Sequence, residues 1–450
     1  MKSNRLVFIC DKFTIFSLNL YFSYAKMVHI GFFYSSYQKS GVKLRTVIVI
    51  GGGASGMTAA VFAAREGADV VLLEHMDRVG KKILSTGNGK CNYTNRIQDK
   101  SCYRGEDPSF AWPVLKQFGF EDTLKFFREL GIYPKEREGY FYPASGQASS
   151  VLDVFRMELL RLEVKVVTSC DIKEIKKTKK GFLAETSQGS FHGDACIIAC
   201  GLKAFPKSGS DGSLFPHIEK FGHTFIDIVP ALVQLKAKPS FFKSIAGIRS
   251  DILVELYVDQ KLTAKDRGEV QLTEYGISGI PVFQISRFAA RALAQKKKVE
   301  AVLDFTPELS LEGLKAELGR RFYQPGTKKD CEEALIGFFS KKLIPVFLKE
   351  NHIDLHKPAN CLTDTELEKL AKYIKHMWVE ITGTKGFDGA QVCAGGINTE
   401  ELDPKTLESK LVSGLYFAGE VIDIDGICGG YNLQWAWASG YAAGMAASQI

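Results

Sequence analysis

Six residues, Gly51-Gly52-Gly53-Ala54-Ser55-Gly56, match the pattern G-x-G-x-x-G. That spacing suits one chemical task, the cradling of a pyrophosphate by backbone N–H groups. Gly51 permits a tight turn, Gly53 lets the backbone approach the phosphates, and Gly56 allows a following helix to pack close to a sheet. Ala54 and Ser55 then open that helix, whose N-terminus turns its partial positive charge toward the anion. Glu74 stands at the end of the next apolar run, where an acid accepts hydrogen bonds from an adenosine ribose. These features specify a dinucleotide without choosing between FAD and NAD.

Two later segments favour FAD. Gly80-Lys81-Lys82 and Ser85–Asn95 are dense in Gly, Asn and Ser/Thr, residues suited to a loop that wraps a cofactor through backbone and amide hydrogen bonds. Far downstream, Gly414-Leu415-Tyr416-Phe417-Ala418-Gly419-Glu420 reads as an apolar strand ending in an acid that would stand beside a ribityl chain. Gly429-Gly430-Tyr431-Asn432 and a helix running to Ile450 follow. Amides at the start of such a helix would face a flavin pyrimidine, where negative charge collects on reduction.

The elements that must position these residues are legible as a β-α-β unit: an apolar run Val47–Ile50, the glycine turn, a small-residue helix ending near Gly67, and a second run Val70–Leu73. Helical spacing recurs over 110–130 and 150–162, and short strands are predicted at Lys165–Val167, Phe182–Glu185, Ala195–Ala199 and Leu415–Ala418. Alternating segments such as Asp251–Asp259 and Val299–Phe305 mark an antiparallel β region, and 308–376 has a Leu/Lys/Glu helical period. The predicted organisation is a leader over 1–45, a first cofactor-binding part over 46–204, a β domain over 205–307, a helical insert over 308–376, a return through the β domain over 377–394, and a second cofactor-binding part over 395–450.

The chain has 450 residues, 45% hydrophobic and 24% charged, an ordinary globular composition that excludes disordered and collagen-like classes. Its ten cysteines include no C-x-x-C, no metal-ligand spacing is present, and a reducing cytoplasm suits them. Of the net charge of +7, the first 45 residues carry +6. The nearly neutral remainder offers no whole-chain electrostatic reason to bind nucleic acid. The leader's longest uncharged run, Phe13–Ala25, is too short to span a bilayer, and the expectation is that translation begins later, at Val42. The stretch Tyr431–Ile450 is uncharged and carries Gly440-x-x-x-Gly444, a pattern shared with membrane helix pairs. Asn432, Gln434, Ser439, Ser448 and Gln449 make it too polar for lipid and favour a buried, close-packed helix. No membrane attachment is expected.

With these residues in hand, the chain from about Val47 to its C-terminus resembles the BaiN-like flavoproteins, which include a 3-dehydro-bile acid reductase and bacterial enzymes that make dihydrouridine in ribosomal RNA. The most specific matches are Gly80–Asn92 and Gly419-Glu420 with Gly429–Ala436; Tyr142-Pro143, Gly276–Gly279, Ala394–Gly396 and Glu408–Lys410 support them. The resemblance implies an α/β fold: a discontinuous Rossmann-like FAD-binding domain with an inserted antiparallel β-barrel-like domain and a small helical one. It also implies FAD contacts at Gly51, Gly53, Ala54, Ser55, Gly56, Glu74, Lys81, Lys82, Asn88, Cys91, Asn92, Ile172, Glu420, Asn432 and Leu433. Cys200 stands where relatives carry Thr in Ala-Thr-Gly, and is read as a small buried residue rather than a redox centre. Thr273-Glu274-Tyr275 replaces the Thr-His pair of many relatives, and the proline falls one place later, at Pro281. No role assigned to that His carries over.

Both activities of the family reduce a C=C bond conjugated to a carbonyl. The expectation is an FAD-dependent reductase drawing on NADH or NADPH as a transient donor, since no second G-x-G-x-x-G follows a strand. Its expected partner is a small molecule, a 3-oxo-4-ene bile acid or steroid held by the apolar β domain. Reduction of uridine in ribosomal RNA, with a nucleic-acid partner, is the first alternative; a flavin amine oxidase and a non-catalytic FAD-binding protein are the others. Tyr142, Tyr275 and Tyr431 are candidate donors to the carbonyl, each also readable as a packing aromatic. Gly209-Ser210-Asp211-Gly212 is a candidate lining of the site, with a plain turn the favoured reading.

Overall fold

A computed structural model describes residues 44–449. The leader, with Val42, lies outside the described residues. The β-α-β unit forms as its pattern requires: strand Thr46–Ile50, helix Ala54–Arg65, strand Asp69–Leu73. These strands belong to a five-stranded parallel sheet ordered Leu415–Phe417, Ala195–Ile198, Thr46–Ile50, Asp69–Leu73, Lys165–Val167. Its central strands are nearly uninterrupted Val, Ile and Leu because both faces are covered, as parallel sheets demand. The edge strand Leu415–Phe417 comes from the far end of the chain, so the cofactor-binding fold closes only when two distant stretches pair.

The long C-terminal helix, Tyr431–Ser448, packs against the Ala54–Arg65 helix and is buried on nearly every side. Its polar residues are satisfied internally. The Gln434 amide accepts from the Thr94 and Thr123 hydroxyls at 2.6 and 2.9 Å and donates to Phe118 O at 3.0 Å. Ser439 Oγ accepts from Gly419 N at 2.9 Å and donates to Trp435 O at 2.6 Å. Gly440 and Gly444 face the first helix so closely that a Cβ on either would lie 2.5 Å from a backbone oxygen, of Ser55 and Ala59 respectively. Among the described residues no helix is long and apolar enough to cross a membrane.

The β region is a closed six-stranded antiparallel barrel ordered Leu235–Ala237, Gly276–Gly279, Lys261–Thr273, Arg249–Val258, Val299–Asp304, Met377–Thr384. Closure removes exposed strand edges. One element escaped the sequence reading: helix Ile280–Ala294 within the β region, packed on the barrel strands through Val282, Ile285 and Ala289. The 110–130 stretch breaks into Ala111–Leu115 and Phe120–Glu129, the second closed at its start by Gly119 N donating to Asp122 Oδ2 at 3.0 Å. The Leu/Lys/Glu segment holds helices Leu311–Phe322, Cys331–Leu335, Ile344–Glu350 and Asp364–Lys375. Lys375 ties them to the barrel through Asp304 at 2.7 Å and the carbonyls of Thr306 and Leu309.

Candidate functional site

A cavity of about 310 Å³ runs along the carboxyl ends of the parallel strands, the usual place for a ligand in such a sheet and within the size range of ligand pockets. Gly51, Gly53, Ala54, Ser55, Glu74, Lys81, Lys82, Ile172, Glu420, Asn432 and Leu433 all line it. The glycine turn is shaped by sterics. Gly51 sits at φ 104°, where a Cβ would meet Ala199 O at 2.5 Å, and a Cβ on Gly56 would lie 1.8 Å from Gly51 O. Gly53 is different: a Cβ there would meet nothing within 4 Å, because that backbone faces open space. The helix behind it has no side-chain cap, leaving first-turn amides for a ligand.

Glu74 is buried, and its carboxylate accepts Gly52 N at 2.7 Å and Met76 N at 2.8 Å. These bonds lock it at the cavity wall. Next to it, His75 Nε2 is buried without a hydrogen-bond partner among the described residues, a donor or acceptor awaiting a ligand. At the other end Lys82 Nζ donates to Glu420 Oε2 at 2.7 Å, while Glu420 Oε1 accepts Cys393 N at 2.7 Å. Residues 338 apart in sequence therefore share one charged wall. The residues present fit an extended dinucleotide: an acid at one end, bare amides and a helix N-terminus at the middle, and a Lys–Glu pair with a second helix N-terminus beyond.

Gly56, Asn88, Cys91 and Asn92 do not line the cavity. Gly56 acts through close packing, and Asn88 lies exposed at φ 55°. Cys91 is fully buried, its thiol pushed up to about 12 by burial. Asn92 keeps a buried Oδ1 without a partner, 3.0 Å from where a Cβ on Gly430 would stand. The Asn432 side chain is occupied by Gly426, whose N–H and C=O it meets at 2.8 Å each. What it presents to the cavity is thus the start of its helix, which has no side-chain cap.

For Gly209-Ser210-Asp211-Gly212 the favoured plain-turn reading gives way to the second one: all four line the cavity, and a Cβ on Gly209 would lie 3.0 Å from Met76 Cγ and 3.1 Å from His75 Nε2. Its Gly/Ser/Asp composition is shared by turns and ligand loops, so only the fold separates the two. Sequence reasoning also missed His75, Gln391 and Val392, which carry no motif. Cys200 lines the cavity, but burial pushes its thiol up to about 12, which leaves it neutral. None of Tyr142, Tyr275 and Tyr431 lines it. Tyr275 lies under Lys385 at 4.4 Å, and Tyr431 packs edge-on against Tyr103 with its hydroxyl raised by burial.

Fold and site together define the class: a Rossmann-type FAD-binding oxidoreductase carrying an inserted six-stranded barrel. The family model for the HI0933-like protein Rossmann domain matches residues 45–446, and the chain belongs to that family. It is 48% identical over 407 residues to the 3-dehydro-bile acid delta(4,6)-reductase of Clostridium scindens, covering 89% of this chain and 98% of that protein. It is 27% identical over 412 residues to the ribosomal RNA dihydrouridine synthase of Haemophilus influenzae, covering 89% of this chain and 98% of that one. Among solved structures, the 3-ketosteroid delta1-dehydrogenase of Sterolibacterium denitrificans aligns over 90% of this chain and 99% of its own at 11% identity with a TM-score of 0.47, too loose a likeness to bear on substrate.

Proposed function

We propose that the protein is an FAD-dependent, NAD(P)H-consuming reductase of a C=C bond conjugated to a carbonyl, acting on a 3-oxo-4-ene or 4,6-diene bile acid or steroid. The observation that carries this reading is the 48% identity to a protein named for that reaction, spread over nearly its full length. FAD bound in the cavity would supply two-electron chemistry, held by the eleven residues named from the sequence that line it. The chain's own groups have definable tasks. First-turn amides after Gly53 meet the pyrophosphate, Glu74 orients the ribose, and the Lys82–Glu420 pair holds the wall beyond it. The start of the Tyr431–Ser448 helix, which has no side-chain cap, would offer its first-turn amides and dipole to the flavin.

Uridine reduction in ribosomal RNA stays as a second reading because two relatives of that name align over nearly their whole length, at 27% and 26% identity. The near-neutral charge of the chain beyond its leader weighs against it. The deciding experiment is anaerobic. The yellow protein is reduced with NADH or NADPH, then mixed with a 3-oxo-4-ene steroid or with ribosomal RNA. Return of the oxidised flavin spectrum on steroid addition supports the reading, return on RNA alone replaces it with the second, and no response to either refutes both.

A further inference from the structure

The C-terminal loop meets the barrel at a group of charges that the cofactor cavity does not include. Strand Tyr103–Arg104 pairs with Asp425–Gly426, which sets Arg104 directly opposite Asp425. Arg287, from the helix that the sequence reading missed, donates to Asp425 Oδ1 at 2.9 Å, with side chains only 8% and 3% exposed. Arg287 Nε is buried and has no partner among the described residues. Arg104 is half-buried, lies 5.1 Å from the Phe288 ring and donates one bond, from Nη1 to Gln284 O at 2.9 Å. Among the described residues it makes no other hydrogen bond and no ion pair within 4 Å. Gln284 also accepts Cys428 N at 3.0 Å, so the same helix turn holds both the arginine and the loop.

Arg104 and Arg287 share their surroundings with Asp425, Asp266 and Asp423. Asp425 is committed to Arg287, and burial pushes its carboxyl up to about 6. Asp266 faces Arg104 from the barrel, and burial raises its carboxyl too, favouring the neutral form. Two of these carboxylates are engaged elsewhere, Asp425 by Arg287 at 2.9 Å and Asp423 by Glu106 N at 2.8 Å, in a place where burial disfavours Arg104's own charge. A half-buried arginine whose other four N–H donors meet no protein acceptor among the described residues has the means to receive an oxygen anion. Its position fits that role: Ile424, just before Asp425, and Asn432, just after the loop, both line the cofactor cavity.

We propose that Arg104 receives the carbonyl oxygen of the enone substrate and the negative charge that develops on it, and that the Arg287–Asp425 pair positions Arg104 for this. The proposal rests on the reductase reading. A reduced flavin would supply hydride, with two electrons, to the β-carbon; the C=C pair would shift toward the carbonyl, whose own π pair would move onto oxygen. The resulting enolate then collapses as the α-carbon takes a proton from water. One hydride and one proton have been added, and Arg104 has met the charge in between without giving up a proton.

The test uses the FAD-bound full chain. A steroid with a phenolic A ring mimics the enolate, since its oxygen occupies the same place and is either neutral or anionic. In the wild type its ultraviolet difference spectrum is expected to be that of the phenolate at pH 7, well below the ordinary phenol pKa of about 10; in Arg104→Gln it is expected to be that of the neutral phenol. With a 3-oxo-4-ene steroid, Arg104→Gln should lose about 10²–10³ in kcat, as for other oxyanion donors, with KM changed less than about fivefold. Arg104→Lys should recover part of both signals, and flavin content should match wild type. A neutral phenol bound to the wild type overturns the proposal and needs no variant. So does wild-type turnover that Arg104→Gln leaves within about threefold. Absence of steroid turnover by the wild type would instead overturn the reductase reading on which the proposal rests.

Discussion

Replacing Gly444 by Ala sets two opposed effects against each other, and the structure decides their sum. In a helix interior, Gly→Ala stabilises by about 0.5–1 kcal/mol because the unfolded chain loses freedom. Gly319, in the Leu311–Phe322 helix, is such a case: its new Cβ would meet only Tyr323 Cδ2 at 3.9 Å. At Gly444 the Cβ would lie 2.5 Å from Ala59 O and 3.0 Å from Ala59 Cα, both backbone atoms that cannot rotate away. Overpacking of this kind costs about 1–3 kcal/mol. The net expectation is a loss of about 1 kcal/mol for Gly444→Ala and a gain of about 0.5–1 kcal/mol for Gly319→Ala. Urea midpoints of the flavin-saturated proteins at unchanged m-value measure both. Because the same helix opens at the cavity, Gly444→Ala should also release flavin more readily. A stabilisation at Gly444 equal to that at Gly319 would refute the close crossing of these two helices.

Glu74→Gln keeps the side chain's shape but removes the charge that accepts Gly52 N and Met76 N; flavin affinity, read by fluorescence on dilution, should fall by about 10–100-fold, as for loss of a charge-assisted bond. Cys200→Ser should leave NAD(P)H-driven turnover within about threefold, because a thiol pushed up to about 12 supplies no thiolate; a collapse of activity would restore a redox role. His223 is buried between Glu401 at 2.7 Å and Ser409 at 2.8 Å, and burial lowers its pKa despite the carboxylate. The folded state thus binds this proton less readily than the unfolded chain, which takes it up at about 6.5. Stability should be full above that pH and fall below it by at most about 1.4 kcal/mol per pH unit. Melting midpoints of wild type and His223→Gln between pH 7 and 5 check the slope, which the variant should lack.

What was legible in the sequence was whatever depends on short-range pattern. The turn at Gly51–Gly56 needs a strand before it and a helix after it, all within thirty residues, so period and glycine spacing suffice to place Glu74 beside the amides. The polar residues of the last helix likewise marked it as buried in protein, and Gln434 and Ser439 are each fully bonded there. The Ile280–Ala294 helix was hidden because it lies among alternating strands, and its pattern, Val282, Ile285 and Ala289 inward, is too short a stripe to stand out from its neighbours.

The residue types alone determined a dinucleotide-binding unit and cysteines without C-x-x-C or metal-ligand spacing. Only the tertiary structure brought Lys82 to Glu420, turned the Gly209–Gly212 loop onto His75, withdrew the Asn432 amide into Gly426, and set Arg104 against Asp425. The reason is physical: a backbone motif acts through the local geometry of its own peptide groups, whereas a charge acquires its meaning from partners and burial. Those are settled when strands more than 200 residues apart close one sheet.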